Sequence, residues 1–426
     1  MSSIATNAQA ANERISVGLD GVVHRTLTFV EEPLGIPAEE GYGWPQLDFN
    51  EVIGPENRYV ICRKLGWGMS SSTWLARDTM DDSYVALKIL RPSVSPEQGL
   101  SGYYTDFVKR GRVWELGALE KVSSPPSSPH CLQLKSHFTF AGKGSAGQHL
   151  CLVTKVLGGD IKSLFAKHGI FPFPLAKRVI LHLLRGIAHA HSRGVVHTDL
   201  KQDNIFFDTT MSTGDIDKLL ASDPSHRHPL ENSDDGLVSA AVSQPLPIPT
   251  LQEAMQRAFV VGDFGSAQLI DTRSHEEISP LSLRPPELII GGSWDEKVDI
   301  WTFGCLIFEL ITGGALFKYV PCPKFGLDEP NFMLYQMICY TGEDFGSQQL
   351  SVSPLAGKFF DSTCNLKANP PILDYPFDLS IKRLKVVEET DVLPIAALMR
   401  RCLRLDPAQR ASAAELLSDP WFDGVN

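Results

Sequence analysis

"VVHTDLKQDN", residues 195–204, sets an acid, a cation and a carboxamide within one short loop: Asp199, Lys201 and Asn204. Asp199 can accept a proton from an attacking hydroxyl and hold that hydroxyl in line. Lys201 can neutralise charge on a transferred phosphoryl group, and Asn204 can ligate Mg²⁺ through its amide oxygen.

Downstream, "VGDFGSAQ" supplies Asp263 as a second Mg²⁺ ligand, with Gly265 permitting a sharp exit. Upstream, "LGWGMSSSTW" (65–74) places Gly66 and Gly68 where a strand turns back. Backbone there can approach a polyphosphate with no Cβ in the way, although such a pair is most often only a hairpin turn. The third glycine of such loops is replaced by Ser71. "VALK" ends at Lys88, a lysine amid apolar strand residues. It is either a surface cation or an inward one that needs a phosphate oxygen and a carboxylate. Glu115 in "WELGAL" is the natural partner, and Glu120 the second choice.

The chain around these motifs has 426 residues, 43% of them hydrophobic, which is ample for a large two-lobed unit or two domains. A formal net charge of −11 argues against nucleic acid as the main partner and tolerates basic ones. Eight scattered cysteines form no C-x-x-C pair and read as reduced, mostly buried thiols. No apolar run approaches the ~18 residues of a membrane helix, and the first twenty residues lack a secretory pattern, so a soluble intracellular protein is expected.

Residues 1–57 read as an extended arm, rich in Glu, Gly and Pro over "EEPLGIPAEEGYGWPQ". From 58 to 157 short β-prone runs dominate, with helical periodicity over 105–122. From 158 to 426 the pattern is helical, notably at 174–194 and at 297–314, the latter apolar nearly all round and so buried. Residues 209–255 interrupt this with Ser, Asp, Pro and His and read mainly as a surface insertion, with one short helix at "GDIDKLLASD".

Taken in order, the Gly-rich turn, the strand lysine, "HTDLK", D-F-G, "PPE" (285–287), "VDIW" (298–301) and "LRLDPAQR" make the chain resemble the eukaryotic protein kinases over roughly residues 58–423. "KLGWG" with Trp74, Thr in "HTDLK", the insertion and "GGSWDEKVDIWTFGC" bring it nearer the SR-protein kinases, particularly fungal members. The resemblance implies an α+β, two-lobed kinase fold, with a small antiparallel-sheet lobe bearing one main helix and a larger helical lobe. It implies ATP and Mg²⁺, and transfer to serine or threonine hydroxyls, with Asp199, Lys201, Lys88 and Glu115 catalytic. Leu65, Thr73, Ala86 and Phe206 would sandwich adenine. Gly66, Gly68 and Lys88 would hold phosphates, Thr154 would be the gatekeeper, and Lys155–Leu157 would supply main-chain hinge contacts. A gatekeeper this small predicts a pocket open to bulky inhibitors. Arg410 would pair with Glu287.

The same resemblance implies Arg-Ser-rich protein substrates such as splicing factors, a monomer, no membrane partner, and cytoplasmic and nuclear residence. Many kinases carry Arg where this chain has Thr198, and that Arg pairs with a phosphorylated activation-loop residue. Thr198 cannot, so activity without activation-loop phosphorylation is expected. His182, His189, His191 and His197 could suggest a metal site, but His189 and His191 point to different helix faces and argue against it. Acidic segments "VVEETD", "GLDEP" and "GEDF" are candidate contacts for arginine-rich substrates, with a solvated turn favoured for the first.

Overall fold

The computed structural model describes residues 10–17, 23–92, 115–271 and 278–425. They divide into two compact units. The first unites the N-terminal segment, residues 134–158 and the insertion 209–247; the second holds residues 107–133, 159–208 and 248–426. The boundaries therefore differ from those read at 57 and 157. The arm and most of the insertion belong with the sheet, and the helix expected in the strand-rich lobe belongs with the helical unit.

The first unit opens with an antiparallel hairpin, β1 (Ala10–Val17) and β2 (Val23–Phe29). Its centre is a six-stranded antiparallel sheet of β3 (Val52–Ile53), β4 (Tyr59–Trp67), β5 (Ser71–Asp78), β6 (Ser83–Leu90), β7 (Leu134–Ala141) and β8 (Gln148–Thr154), in the order β3-β4-β5-β6-β8-β7. Strand alternation separates two faces. Trp74, Ala76, Val85, Leu87, Ile89, Cys151 and Val153 pack together on one. Thr73 pairs with Lys88, Ala86 with Thr154, and Gly66 with Thr73, so these five of the residues read as nucleotide-binding lie on the adjoining strands β4, β5, β6 and β8.

The arm is core rather than a loose extension. Leu34, Trp44 and Leu47 are all under 5% exposed. Leu47 joins the sheet cluster together with Ala241 of the insertion. The insertion likewise buries Ile216 and Leu246 against Leu75 and Val156. Its one long helix, α2 (Thr213–Ser222), starts in a capping box between Ser212 and Asp215.

In the second unit, α1 (Glu115–Ser123) is the described part of the helix expected over 105–122; the rest of that span lies outside the described residues. The 20-residue helix α3 (Phe173–Ser192) lies hard on the strand Phe259–Val261. A Cβ on Gly186 would stand 2.6 Å from Val261 Cγ2 and 2.5 Å from His130 O, which explains glycine inside a helix. Helix α4 (Lys297–Thr312) is buried nearly all round, as its apolar run requires, and ends at Gly313 with φ 75°. Among the described residues no helix is long and apolar enough to cross a membrane. All eight cysteines are free.

The expected Glu287–Arg410 pair is present. Two parallel hydrogen bonds of 2.7 Å join the groups, both 2% exposed, and the guanidinium lies 5.0 Å from the Trp301 ring centre. Removing one partner strands a buried charge, so Arg410→Ala should cost about 3–5 kcal/mol in urea unfolding. A loss below about 1 kcal/mol, the level of an exposed pair, would show that the pair holds nothing.

Candidate active site

Strands Ile205–Asp208 and Phe259–Val261 pair antiparallel, Ile205 opposite Val261. This register brings the end of the 199–204 loop beside Gly262–Asp263, and Gly262 N–H donates to Asn204 O at 3.0 Å. An insertion of any length can therefore separate the two motifs in sequence without separating them in space.

Within the loop, Lys201 Nζ donates to Asp199 Oδ2 at 2.7 Å. Asn204 Nδ2 donates to the same oxygen at 3.0 Å and to Asp199 O at 2.8 Å. Committing Nδ2 to Asp199 leaves the amide oxygen as the acceptor of the Asn204 side chain. Asp263 adopts the left-handed conformation, φ 55°, which only a site with independent support holds in a non-glycine residue. A Cβ on Gly265 would come within 3.3 Å of Asp263 Oδ1 and 3.7 Å of Glu115 Oε2, so both carboxylates converge on that glycine. Glu115 is buried and Glu120 exposed. Hard oxygen donors from Asn204 and Asp263 fit Mg²⁺. Among the described residues, no cluster of three or more His, Cys, Asp or Glu offers another metal site.

The scaffold under the loop is Asp299 of α4. Its carboxylate accepts from His197 N–H at 2.8 Å, Thr198 N–H at 2.9 Å and His191 Nε2 at 2.9 Å. Burial alone would raise this carboxyl, but the hydrogen bond from His191 and the neighbouring His197 outweigh it and hold it below its ordinary value. His197 Nε2 donates to Gly262 O at 2.9 Å, while its Nδ1 accepts from Asp199 N–H at 3.3 Å, which fixes the tautomer. Its ring lies 5.0 Å from that of Phe264. His189 bonds to Val122 O and His182 accepts from Phe259 N–H, so all four histidines serve the core.

Thr198 is buried with φ 65°, an unfavourable conformation for a β-branched residue. Its hydroxyl donates to Ser266 O at 2.7 Å, and its carbonyl accepts from Ser279 Oγ at 3.0 Å. The residue in the place of Arg thus ties the loop to the segment after Asp263 and to the segment before "PPE". Sequence reading missed Ser266, Ser279 and the role of Asp299. Their partners lie 68, 81 and 101 positions away, and no local pattern marks them.

In the sheet unit, Ala86 and Thr154 are buried, Leu65, Thr73, Lys88 and Leu157 are half-buried, and Lys155 is exposed. That exposure suits a hinge read through main chain. A Cβ on Gly66 or Gly68 would meet nothing within 4 Å, and neither has positive φ, so the turn itself demands no glycine. Phe206 lies in the helical unit, against Gly262.

These motifs, in this geometry, define a phosphoryl-transfer enzyme. The protein kinase domain model matches residues 59–234 and 250–422, and the chain belongs to that family. It is 27% identical over 403 residues to the serine/threonine-protein kinase SRPK of Physarum polycephalum, covering 90% of this chain and 89% of that one. It is 29% identical over 378 residues to a serine/threonine protein kinase of Aspergillus fumigatus, covering 86% and 84%. A solved kinase domain superposes with a TM-score of 0.60 at 18% identity, covering 89% of this chain and 99% of the other, which confirms the fold. The protein is an ATP-dependent protein serine/threonine kinase.

Thr198→Val keeps the shape and deletes the bond to Ser266, so kcat should fall by roughly fivefold, the worth of one hydrogen bond of about 1 kcal/mol. Thr198→Ser should retain the wild-type rate. Equal rates for all three proteins would remove Thr198 from the mechanism.

Proposed function

We propose that the protein phosphorylates serines in Arg-Ser-rich proteins, and that it does so without phosphorylation of its activation segment. The contact of Thr198 with both Ser266 and Ser279 carries the second half of this reading. Neutral hydrogen bonds there do what an Arg–phosphate pair does elsewhere. Thr272 and Ser274 of that segment lie outside the described residues, whereas Ser282 lies within them.

Bound ATP and Mg²⁺ would supply the activated phosphoryl group and the charge that screens it. Asp199 takes the serine proton, and Lys201, which also bonds Asp199 Oδ2, neutralises charge on the transferred phosphoryl group. Asn204 and Asp263 would hold the metal. In the sheet unit Lys88 would hold the α- and β-phosphates, with Gly66 and Gly68 covering them, and Leu65, Thr73, Ala86, Thr154 and Leu157 would line the base.

The preference for arginine is supported by Glu309 in α4. This carboxylate is half-buried, and its hydrogen bond comes from Gln202 of the catalytic loop at 3.2 Å. Burial raises its pKa, so an incoming guanidinium would stabilise the charged form. The acidic segments named above are less suited. Asp328 caps a helix, Glu343 bonds Arg404 and Leu405 N–H, and Glu389 pairs with Lys382.

A labelled-ATP assay should show transfer to an Arg-Ser peptide, none to a scrambled acidic peptide, and none by Asp199→Ala. Glu309→Gln should raise the KM for the peptide by roughly tenfold with the KM for ATP unchanged. Because the raised Glu309 carboxyl is charged only above its own pKa, wild-type peptide affinity should fall on acidification at a pH above the ordinary carboxylate range, and Glu309→Gln should lack that step. Transfer to neither peptide would overturn the substrate reading.

A further inference from the structure

Strand β4 leads directly into the Gly-rich turn, and from Cys62 to Trp67 it is held from outside the sheet. Its register shifts between Ile61 and Arg63 and again between Lys64 and Gly66, which frees main-chain groups for other partners. The insertion takes them: Ser225 Oγ donates to Cys62 O at 2.8 Å, and Gln244 N–H donates to Lys64 O at 2.9 Å. Arg63, fully buried, reaches Asp223 of the insertion through both the main-chain carbonyl and the carboxylate.

Lys64 is fully buried as well. Its ammonium pairs with Glu31 at 2.6 Å and with Glu32, both from the arm, and Glu31 in turn accepts from Ser243 N–H at 2.6 Å. Burial pulls the Lys64 pKa down to about 8 while Glu31 opposes the shift, so the cation depends on the arm's carboxylates. One residue on, Leu65 packs against the cluster built by Ile216, Leu219 and Leu246, which also covers Val156 of the hinge.

The last contact is on the turn itself. Trp67, between the two glycines, meets Trp44 of the arm edge-on, ring centres 5.7 Å apart and planes at 87°. Leu34, Val238 and Ala240 complete that cluster, again from arm and insertion together. A turn of two glycines has much conformational freedom to lose on closing over a nucleotide. An aromatic anchor at its middle residue removes part of that freedom beforehand.

We infer that the arm and the insertion form a brace on β4, and that the Trp44–Trp67 contact is a positioning element for the nucleotide rather than only a stabilising one. The inference rests on the nucleotide-binding reading of Gly66 and Gly68. Any segment or partner that displaces the arm from Trp67 would thereby lower nucleotide affinity.

The test is calorimetric titration of the full-length protein with Mg²⁺–ADP, well below the melting temperature of each variant. Trp44→Ala should weaken binding by roughly fivefold to tenfold. Its KM for ATP should rise in step, while kcat and the KM for peptide stay within about twofold. Trp44→Phe, which keeps an edge-on ring, should recover most of the affinity. Phe138→Leu, a truncation against the sheet cluster and outside the Trp44–Trp67 cluster, should lower the melting temperature and leave ADP binding unchanged. If Trp44→Ala does not fold, Val238→Ala removes less from the same cluster and should show the same direction. Wild-type binding of ADP with equal affinity in the Trp44 and Val238 variants would overturn the brace alone. Failure of the wild-type protein to bind ADP would overturn the nucleotide reading and the brace with it.

Discussion

The buried carboxylate of Asp299 is the fixed point of the catalytic unit. It sits in the first turn of a helix with apolar surroundings on nearly every side, so neither the helix nor the charge can move cheaply. Three donors converge on it, two of them successive main-chain N–H groups of the loop. That pair of bonds sustains the left-handed backbone at Thr198 and places Asp199 one residue further on. His197, gripped by the same carboxylate, passes the constraint to Gly262 and hence to Asp263. The loop and Asp263 thus hang from one anion.

The sheet unit solves a different problem. The residues read there as nucleotide-binding include two glycines and a lysine, none of which helps build a core. The opposite face compensates with a continuous apolar cluster, and the arm and insertion supply what β4 lacks. Arg63 and Lys64, buried in a strand, would be strongly destabilising alone. With Asp223, Glu31 and Glu32 in place they specify which segments may lie there.

The fold and its family were legible because each motif is local. Asp199, Lys201 and Asn204 fall within six positions, and the periodicity of 174–194 and 297–314 gives helices at Phe173–Ser192 and Lys297–Thr312. The arm and insertion misled for a physical reason. Leu34, Trp44, Leu47, Ile216 and Leu246 are single apolar residues spaced among Pro, Gly and charges, so no period marks them. Their partners come from strands that only the tertiary fold brings near. Thr198 was readable as the loss of an Arg–phosphate contact, but not as the gain of bonds to Ser266 and Ser279.

Whether neutral hydrogen bonds suffice to order the activation segment can be measured by treating the purified kinase to completion with a protein phosphatase. Intact-mass analysis establishes that no phosphate remains, and the phosphatase is removed before initial rates are taken. The Thr198 contacts predict that the fully dephosphorylated protein phosphorylates an Arg-Ser peptide at the untreated rate from the first turnover, with no lag. A rate that collapses on dephosphorylation, and recovers only as phosphate returns to the segment between Asp263 and Glu287, would contradict them.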